Sequence, residues 1–202
     1  MAARTGYFVT LDQASMAKAK AAMTGIPKGL ERAVTSAINT TLRKIQVTSS
    51  REMREEYAIS SKEAKQTLSY KKANFSSLMG YMNSVSSRFS LSRFATGSLE
   101  NKISDGHKKK NVRLRIKKNA PTTLTHSNPN YEGTPFVQRM KTGHIGIYQR
   151  RRGSRGIAEL RTITVPQMLQ ADNVSEDVLK EGETILGTEF ERNVKRIIAG
   201  FY

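Results

Sequence analysis

The sequence predicts an α+β fold, with an antiparallel sheet packed against a long N-terminal helix and a long C-terminal helix. Three observations predict it. From Leu30 the apolar positions Leu30, Ala33, Val34, Ala37, Ile38, Thr41, Leu42 and Ile45 fall on one face of a helix. Between Thr134 and Leu169 the pattern becomes short and alternating, in the order strand, tight turn, strand, basic turn, strand. After Ser175 helical spacing returns, with Val178, Leu179, Ile185, Leu186, Phe190, Val194, Ile197, Ile198 and Phe201. Strands between long helices, without βαβ alternation, point to α+β. The chain reads as a single domain over residues 1–202, with a largely helical part to residue 70, a β-rich part over 71–169 and a final helix over 170–202.

The elements follow in order. Tyr7–Leu11 alternates weakly, as a short first strand. Asp12 can accept a hydrogen bond from the first turn of an alanine-rich helix running to about Met23, and Gly25-Ile26-Pro27-Lys28-Gly29 breaks it. The long helix from Leu30 weakens at Thr48-Ser49-Ser50-Arg51, then continues or restarts through Met53 and Tyr57. Ser60 and Glu63 have the spacing of a capping box, opening a short helix to about Leu68. Tyr70–Thr96 reads as strand and loop, with Val85, Phe89, Leu91 and Phe94 expected inside. Val112, Leu114 and Ile116 alternate with Arg113, Arg115 and Lys117, which makes a half-buried strand with one basic face. Ala120–Gly133 carries Pro121, Pro129 and Asn130 and reads as a loop of functional length. Ser175, followed by Glu176 and Asp177, is expected to cap the last helix; Lys195 and Arg196 suit its carboxyl end, and Gly200 ends it.

Composition narrows the function classes. The 202 residues include no cysteine, which excludes disulfides, thiolate metal sites and a cysteine nucleophile. No apolar run reaches the length of a membrane span, and the N-terminus lacks the apolar stretch of a signal peptide, so the chain is expected to stay where it is made. Lysine and arginine total 34 against 17 acidic residues, a net charge of +17. The excess is uneven: residues 105–161 hold 14 basic and 3 acidic side chains, whereas residues 162–202 hold 4 and 7. A strongly positive middle implies a polyanionic partner, nucleic acid or an acidic protein surface. In a ring of identical subunits, segments of opposite sign can also face one another across the boundary.

Catalysis, a cofactor and a metal are not expected. His107, His126 and His144 share no ligand spacing, and no phosphate-binding loop or activated-serine context occurs. The basic clusters carry more weight: Lys108, Lys109 and Lys110, the face of Arg113, Arg115 and Lys117, and the tip of Arg150, Arg151, Arg152 and Arg155. These lie close in sequence to strands expected to be neighbours in one sheet. Docking onto an acidic protein ranks first, contact with the backbone of passing DNA second, and a merely solvated surface third. Aromatic residues that would stack on bases are sparse among them.

The wording of the Thr134–Leu169 block adds a resemblance. Phe136 and Val137 lead to Met140-Lys141-Thr142-Gly143, then Gly146-Ile147-Tyr148-Gln149-Arg150, a basic turn, a return strand, and Val165-Pro166-Gln167-Met168-Leu169. This order resembles the prophage minor tail protein Z family, the tail-completion proteins of long-tailed phages. The likeness extends weakly to Ala33–Tyr57, through Ala37-Ile38-Asn39-Thr40-Thr41-Leu42-Arg43-Lys44, Arg51, Tyr57 and Ile59. It implies a structural virion protein at the head-tail junction, assembled in the host cytoplasm. Such a protein forms a ring, sixfold to match the tail, beside the tail terminator and the head-completion or connector proteins, with double-stranded DNA passing through.

By that resemblance, Phe136, Arg139, Met140, Gly143, Ile147 and Tyr148 of the hairpin, and Val165, Pro166 and Met168 of the exit, support ring packing. The apolar C-terminus, ending in Phe201 and Tyr202, reads separately as a segment held by a neighbouring subunit. The rival from another class is a nucleic-acid-binding protein without sequence preference that uses the basic central segment. A membrane partner is not expected.

Overall fold

A computed structural model describes residues 2–103, 112–124 and 130–200. Its strands and helices run β1 (Ala3–Val9), α1 (Gln13–Ala22), α2 (Gly29–Glu56), α3 (Ser61–Thr67), β2 (Leu68–Lys71), β3 (Gly80–Ser86), β4 (Arg113–Lys117), β5 (Ala120–Thr123), β6 (Tyr131–Arg139), β7 (Ile145–Arg151), β8 (Ile157–Glu159), α4 (Val165–Leu169) and α5 (Asp172–Ile198). The protein is α+β, with antiparallel sheets and the long helix α2 packed on the long C-terminal helix α5. The chain gathers into two compact units.

The helix-rich unit comprises Ala2–Arg54, Ile59–Ser86 and Val165–Tyr202. Its sheet has the order β1-β3-β2, antiparallel throughout, with Tyr7 opposite Met82 and Tyr70 opposite Met82. Gly80, Met82 and Ser84 are buried on one face of β3. Gly80 is there because Leu42 and Ile38 of α2 leave no room for a side chain: a Cβ would lie 2.6 Å and 2.8 Å from their methyl groups. Along α2, Ala33, Val34, Ala37, Ile38, Leu42 and Met53 are fully buried. The expected weakening at Thr48-Ser49-Ser50 does not interrupt this helix; all three are buried in a continuous run. Polar contacts join α2 to α5: Ser36 donates to Asn193 at 3.2 Å, Lys44 to Glu189 at 2.7 Å and Thr48 to Glu181 at 3.0 Å. Tyr7 donates its hydroxyl to the Leu169 carbonyl at 3.1 Å, tying α4 to β1.

Several caps match expectation. Asp12 accepts from the Ser15 amide at 2.8 Å, and Ser60 and Glu63 form the reciprocal capping box. The last helix departs from expectation. It starts at Asp172 with Ala171 as its cap, and Ser175 lies inside it, donating its hydroxyl to the Asp172 carbonyl. Val85 is a second correction. It is 41% exposed on the outer face of β3, and Phe89 is half-buried, whereas Leu91 and Phe94 are inside as expected.

The β-rich unit comprises Glu55–Ala58 and Ser87–Thr164. Leu91, Val112, Leu114, Val137 and Ile147 form its core. One sheet is the meander β6-β7-β8, with Phe136 opposite Tyr148 and Tyr148 opposite Glu159. The other is a two-stranded ribbon of β4 and β5. Basic strand β4 is therefore not in the meander sheet, contrary to the expectation that these basic strands are neighbours in one sheet. Its inner positions alternate as expected, with Val112 and Leu114 buried and Arg113 and Arg115 outside. The Ala120–Gly133 segment is not simply a loop: it holds β5 and the first residues of β6. The end of α2 joins this unit through the Ala58 amide to the Ile116 carbonyl and the Lys118 amide to the Glu56 carbonyl.

Candidate functional site

The meander is built so that one face is consumed by the core and one end stays in solvent. On β6 and β7, Val137 and Ile147 are opposite one another and point into the core. Phe136 and Tyr148 share the other face, their ring centroids 6.5 Å apart. Tyr148 lies across Gly146, where a Cβ would come within 2.9 Å of its ring, so the glycine makes room for the aromatic. Burial pushes the Tyr148 hydroxyl above the ordinary phenol value, with the nearby Glu159 carboxylate adding to the shift.

The β6–β7 turn closes with the Met140 amide on the His144 carbonyl at 2.8 Å and the Gly143 amide on the Met140 carbonyl at 2.9 Å. Gly143 has φ +84°, a left-handed conformation that glycine adopts without steric cost. Arg139 leaves the strand to pair with Glu100 at 2.8 Å, both in solvent.

The β7–β8 connection carries the basic tip. Arg150 pairs with Ile157, the Arg151 amide donates to the Gly156 carbonyl, and the Ser154 amide donates to the Arg151 carbonyl at 3.2 Å. Gly153 takes φ +68°, and the Ser154 hydroxyl accepts from the Gly156 amide. Every residue from Arg150 to Gly156 is exposed. Neighbouring Gln149 is fully buried and donates to the Gly133 carbonyl, which anchors the strand just before its tip.

The residues singled out by sequence therefore divide. Ile147, Tyr148, Val165, Pro166 and Met168 are buried. Phe136 and Met140 are half-buried; Arg139 and Gly143 are exposed. Arg113, Arg115, Arg150, Arg151, Arg152 and Arg155 are exposed, on the ribbon and on the meander tip. Lys117 is engaged internally, 2.6 Å from Glu56 and over the Tyr57 ring, and the hydrogen bond to Glu56 is the main cause of its raised pKa. Lys108, Lys109, Lys110, Phe201 and Tyr202, like His107 and His126, lie outside the described residues.

One cluster has no counterpart among the sequence expectations. Glu159 accepts from the Ser90 hydroxyl at 2.7 Å and contacts His144 at 2.9 Å, with Arg161 at 3.8 Å. Burial works to raise its pKa, but the hydrogen bonds from His144 and Ser90 and the adjacent positive charge outweigh it, leaving the carboxylate below its usual value. Serine and histidine both bond the carboxylate and do not bond each other through the ring. Activating a serine requires the histidine in the middle, so this arrangement fastens β8 and does not generate a nucleophile. His144, Glu159 and Arg161 come from neighbouring parts of the chain but Ser90 lies 69 residues before Glu159, and no local spacing signals the cluster.

Among the described residues no group of three metal-ligating side chains gathers, and no helix is long and apolar enough to cross a membrane. No protein-family model matches the chain, and neither a curated protein nor a solved structure matches it.

Proposed function

We propose that this chain is a structural subunit of a phage virion, a tail-completion protein. It works as a homo-oligomeric ring at the head-proximal end of a long tail and helps join that tail to the DNA-filled head. The observation that carries the reading is the Thr134–Leu169 block. It resembles the minor tail protein Z family in wording, and its part up to Glu159 folds as a meander that buries Val137, Ile147 and Tyr148 and leaves its arginine tip wholly exposed. A tip of that kind offers charge to a neighbour without costing the subunit its core. The ring, sixfold by the same resemblance, meets the tail terminator and the head-completion or connector proteins. Electrostatic complementarity sets register and partner choice there.

A second reading is favoured by the same exposed arginines: non-specific binding of nucleic acid through phosphate contacts. Each neutralised phosphate would steepen the salt dependence by about 0.9 log units per log salt.

Averaging images of the head–tail junction of purified virions tests the first reading. A ring of this subunit between head connector and tail tube is the expected result. Virions that contain none of the chain would sink the structural role and leave the nucleic-acid reading, which a salt-resolved binding titration on duplex DNA then decides.

A further inference from the structure

One long side of α5 in the helix-rich unit is open. Two cavities, about 700 Å³ and about 170 Å³, lie along it and share Thr10, Glu183 and Leu186, so they form one groove. Leu179, Leu186, Phe190 and Val194 line it from α5; β1 and α1 form the opposite wall. At its open end Phe8 is 74% exposed and Leu179 48% exposed. From Leu179 to Val194 the helix rises ~22 Å, long enough to receive a hairpin.

The charged side chains that line the groove are Asp12, Glu183 and Glu191 against Lys18 and Lys195, an acidic excess. Glu176 and Glu183 stand seven residues apart, hence on one face, and Asp172 shares that face one turn earlier, whereas Asp177 lines a separate cavity with Arg51 and Glu181. Asp172, Glu176 and Glu183 are exposed, whereas Glu181 is already taken by Arg51 and Thr48. In residues 162–202 of this otherwise basic chain, acidic side chains outnumber basic ones, 7 against 4. Two copies carrying +17 each repel unless unlike patches meet. The strongest unlike patch among the described residues is the Arg150–Arg155 tip. Arginine suits such a groove: its methylene stem can lie on an apolar floor while the guanidinium reaches carboxylates at the edge.

We propose that the groove beside α5 accepts the Arg150–Arg155 hairpin of a second copy of this chain. The contact joins two different patches, so it is head-to-tail and propagates into a closed ring or an open filament. It rests on the ring reading of the proposed function and deepens it, by supplying the subunit contact that the ring requires.

The experiment measures the mass of the purified full chain by light scattering and sedimentation, at about 50 mM and about 500 mM salt. Two variants are compared with it: Arg151→Glu/Arg152→Glu/Arg155→Glu, and Glu176→Lys/Glu183→Lys. The unaltered chain is expected to self-associate at low salt, and each variant at least about tenfold more weakly. An equimolar mixture of the two variants should re-associate, since each then offers what the other lacks. That recovery excludes misfolding as the cause of the loss. Because the chain has no cysteine, Arg152→Cys in one copy and Glu183→Cys, which lines both cavities, in another should also yield a single interchain disulfide on oxidation.

Variants that associate as strongly as the unaltered chain overturn the contact and leave the ring itself to virion imaging. A chain monomeric under all conditions also overturns it. So does loss confined to the tip variant together with assembly only on added duplex DNA, which would make the tip a nucleic-acid contact.

Discussion

Gly80 offers the sharpest test of how the helix-rich unit is packed. In Gly80→Ala the new methyl would sit 2.6 Å from Leu42 Cδ1 and 2.8 Å from Ile38 Cγ2. Carbon atoms in comfortable contact lie about 3.5–4.0 Å apart, so one of the three groups must move by roughly 1 Å. Neither neighbour has an easy direction. Both are fully buried, and the β-branched Ile38 is stiff about its first side-chain torsion. Overpacking of this kind costs about 1–3 kcal/mol, while replacing glycine returns about 0.4–1 kcal/mol by stiffening the unfolded chain. The net expectation is a loss of about 1–2 kcal/mol. At this chain length that lowers the melting midpoint by roughly 2–8 °C. A cycle with Leu42→Ala isolates the clash. Leu42→Ala alone costs about 2–5 kcal/mol, but in the double variant the methyl enters the vacated space, so the two losses should fall short of additive by about 1 kcal/mol. Urea unfolding of the four proteins, followed by helix signal, measures it. Unchanged stability in Gly80→Ala, or strict additivity in the cycle, would refute the packing argument.

Three further outcomes are expected. At Gly143 nothing lies within 4 Å of the place an added methyl would occupy, so the cost of substitution is the left-handed backbone alone; melting points should fall in the order Asn, Ala, Val, with Ala losing about 1–2 kcal/mol, and equal losses for all three would contradict this. Lys44→Met leaves the buried Glu189 carboxylate with only Arg192 and should cost about 1–2 kcal/mol, discounted because Lys44 is half-exposed, whereas Glu189→Leu removes the buried charge and should cost less; the reverse ranking in urea titrations would disprove it. Glu159 has a lowered pKa in the fold, so its contribution is present above the unfolded carboxylate value of about 4.3 and is lost as pH falls through the folded value. Glu159→Gln should therefore be the less stable protein at neutral pH, with the gap closing below about pH 4; a gap independent of pH would show that the ionised carboxylate is not what matters.

The legible parts of the fold are those where side chains repeat the geometry. The α2 stripe from Leu30 to Ile45, the Ser60–Glu63 box and the meander all announce themselves because apolar spacing or capping chemistry matches the element. Strand β3 hides itself for the opposite reason. Its inward positions are Gly80, Met82 and Ser84, chosen for room under Leu42 and Ile38, while Val85 points out beside the Phe8 and Tyr81 face. Alternation then suggests the wrong residues for the core. Strand β5 has all four positions exposed, so no period-two pattern exists to read, and Pro121 argues further for a loop. The start of α5 is illegible because its actual cap, Ala171, makes no side-chain hydrogen bond, and Ser175 looks like a cap only by composition.

The candidate site was legible as a stretch of chain but not as a surface. Sequence spacing cannot separate an apolar residue that a partner covers from one that the subunit covers itself. Ile147, Val165 and Met168 are fully buried, so replacing any of them tests folding before it tests assembly. Exposure moves the discriminating experiments to other residues. Arg151, Arg152 and Arg155 on one copy, and Glu176, Glu183, Leu179 and Phe8 on the next, can be altered without removing a core contact. The acidic stripe was readable as charge in the last 41 residues, but only the helical phase of α5 puts Glu176 and Glu183 on the side that carries Leu179 and Leu186. A loss of assembly from those exposed changes, with melting behaviour intact, would separate a contact between copies from a defect within one.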